Sequence, residues 1–371
     1  LMSVAIFSTL GLGYTATKYV AEYKESNPDY IPLILKYARN ITIVLSTIMA
    51  IILFSFAPYI SSIVLEAPHL LTPLRLVSTW LIFSAVTTTQ IGVLAGFGAF
   101  KEMAKINAVL GVVAFLLTVI FTYLWSLTGA LFALLLIQVL NCFLNYRLTD
   151  TLLVDYKNTK IYKDKVFLKE MLIFSLPISL QEGFYALTFW LISMILIKYS
   201  NYGEFGMYSA ALHWSMIILF IPAIMRNVIL SHLAQSVNNA DKFDRTLKLT
   251  IFINLITTLI PVLIVFMFSD IIALIYGKNY NGLGTLINIA VFSTIFISIS
   301  NVLSQVYMSK GLNWIMLLFR LVRDFGIIGL FFIIDGYGFL KSAAQSLLFS
   351  ILFLNVLFMI IMWAYYKWKL K

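Results

Sequence analysis

Residues 108–147 read AVLGVVAFLLTVIFTYLWSLTGALFALLLIQVLNCFLNYR, and the only charged residue among them is the last, Arg147. A helix crosses a bilayer core of about 30 Å with roughly 20 apolar residues. The stretch therefore holds two spans, 108–127 and 129–147, with an uncharged connection between them. Backbone groups in lipid have no water to bond with, so both spans must be helices.

Nine more apolar segments lie on either side: 1–20, 41–64 and 75–97 before it, and 171–197, 206–229, 248–268, 284–306, 314–334 and 342–366 after it. Interior prolines such as Pro177, Pro222 and Pro261 are tolerated in such helices. The whole chain of 371 residues is 61% hydrophobic and 11% charged, against about 25% charged in an ordinary soluble domain. That leaves too little polar surface to cover a water-soluble globule. The fold class expected is all-α and polytopic in a membrane. The chain starts at Leu1, already inside an apolar stretch and without the basic n-region of a signal peptide. It reads as a piece lacking its native N-terminus.

The net charge of +10 comes from 26 Lys and Arg against 16 Asp and Glu. No basic and aromatic nucleic-acid module accompanies it, so no nucleic-acid partner is expected. Basic loops on one membrane face explain the excess better. Lysines and arginines gather in every second connection: Lys18, Lys24, Lys36 and Arg39; Lys101 and Lys105; Arg147 through Lys169; Lys242, Arg245 and Lys248; and the tail Lys367, Lys369 and Lys371. The alternate connections hold one base or none, and Lys310 and Lys341 tie at one each. This alternation puts the C-terminus in the cytoplasm. The lone Cys142 excludes an intramolecular disulfide, and His69, His213 and His232 lack ligand spacing. No metal or cofactor is expected. The stretch 28–40, PDYIPLILKYARN, mixes apolar and basic residues at helical spacing. It reads either as an interfacial helix or as an ordinary loop.

The two halves resemble each other. LAGFGAFKEMAKIN from 94 and SQVYMSKGLNWIM from 304 close equivalent segments, with Lys101 and Lys310 separated by 209 (310 − 101). Gly129 and Gly338 are also 209 apart (338 − 129), and FAPYISSIVL from 56 matches FSDIIALIYG from 268 in pattern. Internal repeats mark transporter folds. The expected domains are an N-terminal lobe over 1–147, a cytoplasmic linker over 148–170 and a C-terminal lobe over 171–371.

STLGLGYTATKYVAEYKES, LIFSLPISLQEGFYALTFWLISMILI, GEFGMYSAALHWSMIILFIPAI and LIYGKNYNGLGTLINI resemble segments of polysaccharide flippases of the multidrug/oligosaccharidyl-lipid/polysaccharide (MOP) superfamily. Within it, the helix count resembles the Wzx-type translocases of O-antigen, lipopolysaccharide and capsule repeat units. The resemblance covers nearly the whole chain, and the family's first helix has no counterpart in it. It implies two six-helix lobes across a central cavity that opens alternately to either side of the bacterial inner membrane. The implied cargo is an undecaprenyl-pyrophosphate-linked oligosaccharide. Polysaccharide polymerase and chain-length proteins are the implied protein partners.

Ionisable residues within spans stand out whatever the family, because each costs about 2.5–3.5 kcal/mol near the bilayer centre on insertion scales. Segment 314–334 carries Arg320, Arg323 and Asp324. Arg320 and Asp324, four apart, share a helix face, and they read either as a self-neutralising pair or as part of a site. Two arginines against one aspartate leave a cation to be satisfied, and guanidinium holds phosphate oxygens bidentately. Glu182 reads either as the partner of an arginine or as a coupling-ion site. Lys18 and Arg226, 208 apart (226 − 18), read either as snorkelling bases or as a clamp on the pyrophosphate. Two other functions compete: a drug or cation exporter of the same superfamily, and a membrane polysaccharide polymerase or ligase. The positive balance of the intramembrane charges disfavours the first. The short loops and the absence of GxSxG, HExxH or a Gly-rich phosphate loop disfavour the second.

Overall fold

A computed structural model describes residues 8–64, 66–156, 164–277 and 280–370. Residues 1–7 of the first expected span, Leu65, and the bases Lys157, Lys160, Lys163, Lys278 and Lys371 lie outside the described residues. The described chain is helical, with no strand. The helices are α1 (Leu12–Ser26), α2 (Ile31–Tyr59), α3 (Leu71–Phe97), α4 (Phe100–Leu152), α5 (Lys165–Tyr199) and α6 (Tyr202–Ile218). They continue with α7 (Phe220–Gln235), α8 (Ala240–Tyr276), α9 (Leu283–Ser309), α10 (Asn313–Gly336) and α11 (Ala343–Tyr365).

Among the described residues seven stretches are long and apolar enough to cross a membrane, or eight if α6 and α7, bent by 46°, form one span. The bend follows from Pro222, which has no N–H to give to the carbonyl four residues back. Helix α10 misses the count because it carries Arg320, Arg323 and Asp324. Large apolar side chains such as Val112, Phe115, Ile264 and Met267 are exposed, a pattern that lipid solvates and water does not.

Helix α4, with 53 residues, would run about 80 Å if straight. It reverses instead at Trp125 (φ −133°, ψ 20°) and Ser126 (φ 49°, ψ −132°). Phe121 stacks on Trp125 and meets Phe132 edge-on at 5.6 Å, and a Cβ on Gly129 would collide with the Phe121 carbonyl. The helical hairpin expected from 108–147 is thus present, with its corner just ahead of Thr128. Residues 31–40 are neither a loop nor a separate interfacial helix. They are the first turns of α2, which runs on into the span without a break.

Two compact units divide the chain, Leu1–Ser179 and Leu180–Lys371. In the first, α3 is central and packs on α1, α2 and α4. Its Gly92 crosses α1 at Gly13 so closely that a Cβ would overlap the Gly13 backbone. Thr17 Oγ1 donates at 3.0 Å to the carbonyls of both glycines and ties the crossing. In the second unit α9 holds the same place, packed against α6, α7, α8 and α11. Its neighbours share a core that includes Tyr208, Ile287, Phe331 and Leu347.

One corner recurs in both units. After α3, Gly98 (φ 77°) gives its N–H to Ala95 O and Ala99 gives its own to Leu94 O. After α9, Gly311 (φ 74°) and Leu312 bond to Met308 O and Tyr307 O in the same pattern. This is the Schellman closure, which needs a left-handed residue and so favours glycine. The glycines are 213 apart (311 − 98). The repeat read from the sequence is therefore present, but its register at this corner is 213. Lys101 follows its glycine and Lys310 precedes it, so the two lysines are not counterparts.

Candidate functional site

Charged side chains meet in the second unit. Helix α10 contributes Arg320, Arg323 and Asp324, α5 contributes Gln181 and Glu182, α7 contributes Arg226, and α9 contributes Asn301. Each lies six or more residues inside its helix, so the protein and not bulk water must satisfy most of the polar atoms.

Arg320 Nη1 donates to Glu182 Oε1 at 3.1 Å and to Gln181 Oε1 at 3.4 Å. Gln181, itself buried, donates from Nε2 to the Asn313 carbonyl at 3.0 Å. The amide thus holds the start of α10 with one end and the guanidinium with the other. Tyr185, one turn beyond Gln181, lies under Arg320 at 5.9 Å. Nε and Nη2 of Arg320 make no hydrogen bond to any described residue, so most of its fork remains uncommitted. The ion pair is half sheltered, with side-chain exposures of 16% for Arg320 and 30% for Glu182.

Arg323 takes a different partner. Its Nε and Nη2 both donate to Oδ1 of the adjacent Asp324, at 2.8 and 2.6 Å. Neighbouring positions on a helix do not face each other, so the arginine folds back over Asp324 and rests 4.8 Å from the Phe358 ring of α11. Oδ2 of Asp324 is buried and has no hydrogen-bond partner. Arg226 Nη2 donates to Asn301 Oδ1 at 3.2 Å. The charges of Arg226 and Arg323 also reach Glu182, after that of Arg320. Among the described residues the cluster gathers three arginines and two carboxylates.

The pairing of Arg320 with Asp324, one of the two readings of these charges, does not form. Asp324 is taken by Arg323 and Arg320 by Glu182, because α5 brings a second carboxylate to the face of α10 that Arg320 occupies. The cation left over in the sequence count finds a partner in this way. Glu182, read either as a partner of an arginine or as a coupling-ion site, is placed as a partner. Lys18 belongs to the first unit, where Nζ meets Glu22 Oε2 at 2.6 Å and lies 4.1 Å from the Tyr19 ring. Glu22 stands four residues after Lys18, a spacing that already favours a pair. Asn301 and Gln181 carried no comparable signal beyond being polar within apolar segments.

The family model for polysaccharide biosynthesis protein matches residues 1–230. In fold the chain is similar to a multidrug resistance MATE family transporter of the MOP superfamily in an outward-facing conformation. That similarity has a TM-score of 0.82 at 17% identity and covers 99% of this chain and 84% of that one. A MATE in the bent conformation matches at a TM-score of 0.79 and 17% identity, over 99% and 84% of the two chains. The MATE transporter ClbM in complex with Rb+ matches at 0.78 and 13% identity, over 98% and 83%. Identities this low carry the fold and nothing more. No curated protein matches the chain.

Proposed function

Because this chain belongs to the polysaccharide biosynthesis protein family, we propose that it is a flippase for oligosaccharide linked to undecaprenyl pyrophosphate. It moves this cargo from the cytoplasmic to the periplasmic leaflet of the bacterial inner membrane by alternating access, with its own C-terminus in the cytoplasm. The observation that carries this reading is the arginine cluster of the second unit, with the uncommitted fork of Arg320. A diphosphate suits it, because guanidinium groups bind phosphate oxygens bidentately and tolerate burial better than ammonium. Arg226, Arg320 and Arg323 receive the diphosphate in this reading. Glu182 and Asp324 hold the arginines in place when no cargo is bound. Lys18 stays with Glu22 and has no assigned contact.

Export of drugs or cations is the second reading. It is favoured by the unpartnered Asp324 Oδ2, an acceptor a cation would satisfy, and by the MATE fold. The test is translocation in vesicles reconstituted with the purified chain. A fluorescent polyprenyl-diphosphate oligosaccharide is offered in one set and a cationic dye in another. Lipid translocation that falls at least tenfold in Arg320→Ala, with no dye movement, is the expected result. Dye movement without lipid translocation overturns the flippase reading.

A further inference from the structure

We propose that a cavity inside the first unit binds the phosphate-and-polyol headgroup of an anionic glycerophospholipid of the phosphatidylglycerol type. The cavity has a volume of about 440 Å³, within the range of small-molecule sites. It is bounded by the first turns of α2, the last third of α3 and the end of α4. These are the helix ends from which the lysine-rich connections leave, and the bias of basic loops assigns that end to the cytoplasm. Basic pockets between membrane helices at that level hold anionic lipid headgroups.

Its lining specifies the ligand further. Lys36 and Arg39 of α2 stand at the cavity, both exposed, and neither makes an ion pair or hydrogen bond with any described residue. Lys18, Arg320 and Arg323, by contrast, each have a carboxylate within 3.1 Å. Lys36 and Arg39 are the bases among the described lining residues, and they favour a phosphate. Gln90 of α3 adds a second requirement: it lines the cavity, and its Oε1, buried without a partner, is satisfied when the amide rotates toward a hydrogen donor held there. A phosphodiester has no hydrogen to give that oxygen, whereas a polyol hydroxyl does. The ligand must therefore bring an anion for Lys36 and Arg39 and a hydroxyl donor for Gln90. Leu35 and Val93 supply an apolar wall that suits the glycerol ester region. The cavity lies wholly within the first unit and the arginine cluster wholly within the second, so this assignment stands or falls independently of the transported substrate.

The same chemistry also occurs in a sugar phosphate on a polyprenyl chain, and the experiment separates the two. The purified, delipidated chain is incubated in detergent with equimolar phosphatidylglycerol, phosphatidic acid and phosphatidylethanolamine, and bound lipid is counted by native mass spectrometry. Phosphatidylglycerol should be retained at least tenfold over phosphatidylethanolamine and about threefold over phosphatidic acid. The double variant Lys36→Gln/Arg39→Gln should bring phosphatidylglycerol down to the phosphatidylethanolamine level. Gln90→Leu should abolish the preference over phosphatidic acid and keep the preference over phosphatidylethanolamine. If the double variant elutes as aggregate, the Gln90→Leu comparison decides alone. Equal retention of phosphatidylglycerol and phosphatidylethanolamine by the unaltered chain overturns the proposal, as does undiminished retention by a well-folded double variant. Displacement of bound phosphatidylglycerol by an equimolar polyprenyl-diphosphate sugar also overturns it and assigns the cavity to the cargo.

Discussion

Replacing Glu182 by leucine leaves Arg320 without its carboxylate about 10 Å inside the span, since Arg320 stands seven residues after Asn313 at about 1.5 Å each. An uncompensated arginine costs about 2.5–3.5 kcal/mol at the bilayer centre, and breaking a fully buried pair costs about 3–5 kcal/mol. Arg320 keeps 16% of its side chain accessible and a bond to Gln181. The single variant should therefore lose about 2–3 kcal/mol, roughly a 30- to 150-fold drop in the folded-to-unfolded ratio. Removing both charges is a different perturbation, because a buried pair exchanged for apolar residues is often neutral. The variant Glu182→Leu/Arg320→Leu should recover most of the loss, giving a coupling energy of about 2 kcal/mol. Unfolding in mixed micelles titrated with sodium dodecyl sulfate, followed by tryptophan fluorescence, measures all four corners of the cycle. Lipid translocation measured on the same preparations should stay low in the double variant, since stability returns but the fork does not. Additive losses, with the double variant less stable than either single one, would refute the pairing. Full translocation by the double variant would remove Arg320 from the cargo site.

Arg323→Lys should insert normally and lose about 1 kcal/mol, because a lysine replaces the two-nitrogen grip on Asp324 with a single point contact. Its translocation should be partial while that of Arg323→Ala is abolished, as vesicle assays of the two will report. Gly92→Val should cost at least about 3 kcal/mol through overlap with the Gly13 backbone, seen as aggregation on gel filtration, whereas Gly206→Ala, which meets nothing within 4 Å, should elute normally. Thr17→Val should cost about 1 kcal/mol for the lost bonds to Gly13 and Gly92, read from the same micellar unfolding curve.

Segments with no charge are the most legible parts of the sequence. The hairpin of 108–147 was legible because two charge-free spans stand back to back, yet its corner was misplaced by two or three residues, since serine and threonine are equally at home in a turn and in a membrane helix. The apolar core of α2 was legible but its start was not. Lys36 and Arg39 look like loop residues until the packing of α2 on α3 places them beside a cavity that the end of α4 also lines. The repeat was visible as a spacing, and its register was hidden because apolar helices slide past one another in an alignment without penalty. Arg323 and Asp324 were identifiable as charges out of place, but the choice of partner depended on α5 approaching α10, which no local pattern encodes. The Lys18–Glu22 pair follows from helical spacing alone, yet in the sequence Lys18 reads as a snorkelling base or a clamp.

The half-engaged state of Arg320 bears on tempo. An anion that takes the whole of this guanidinium has to dislodge a resident competitor from Nη1, and the same competitor stands ready to retake that nitrogen when the anion leaves. A wholly vacant arginine would grip harder and let go more slowly. Passage across a membrane demands sites that are favourable to enter and still easy to quit. A built-in rival of this sort trades dwell time for throughput, and drawing its carboxylate back by one methylene, as in Glu182→Asp, is a means of setting that exchange without touching the cargo.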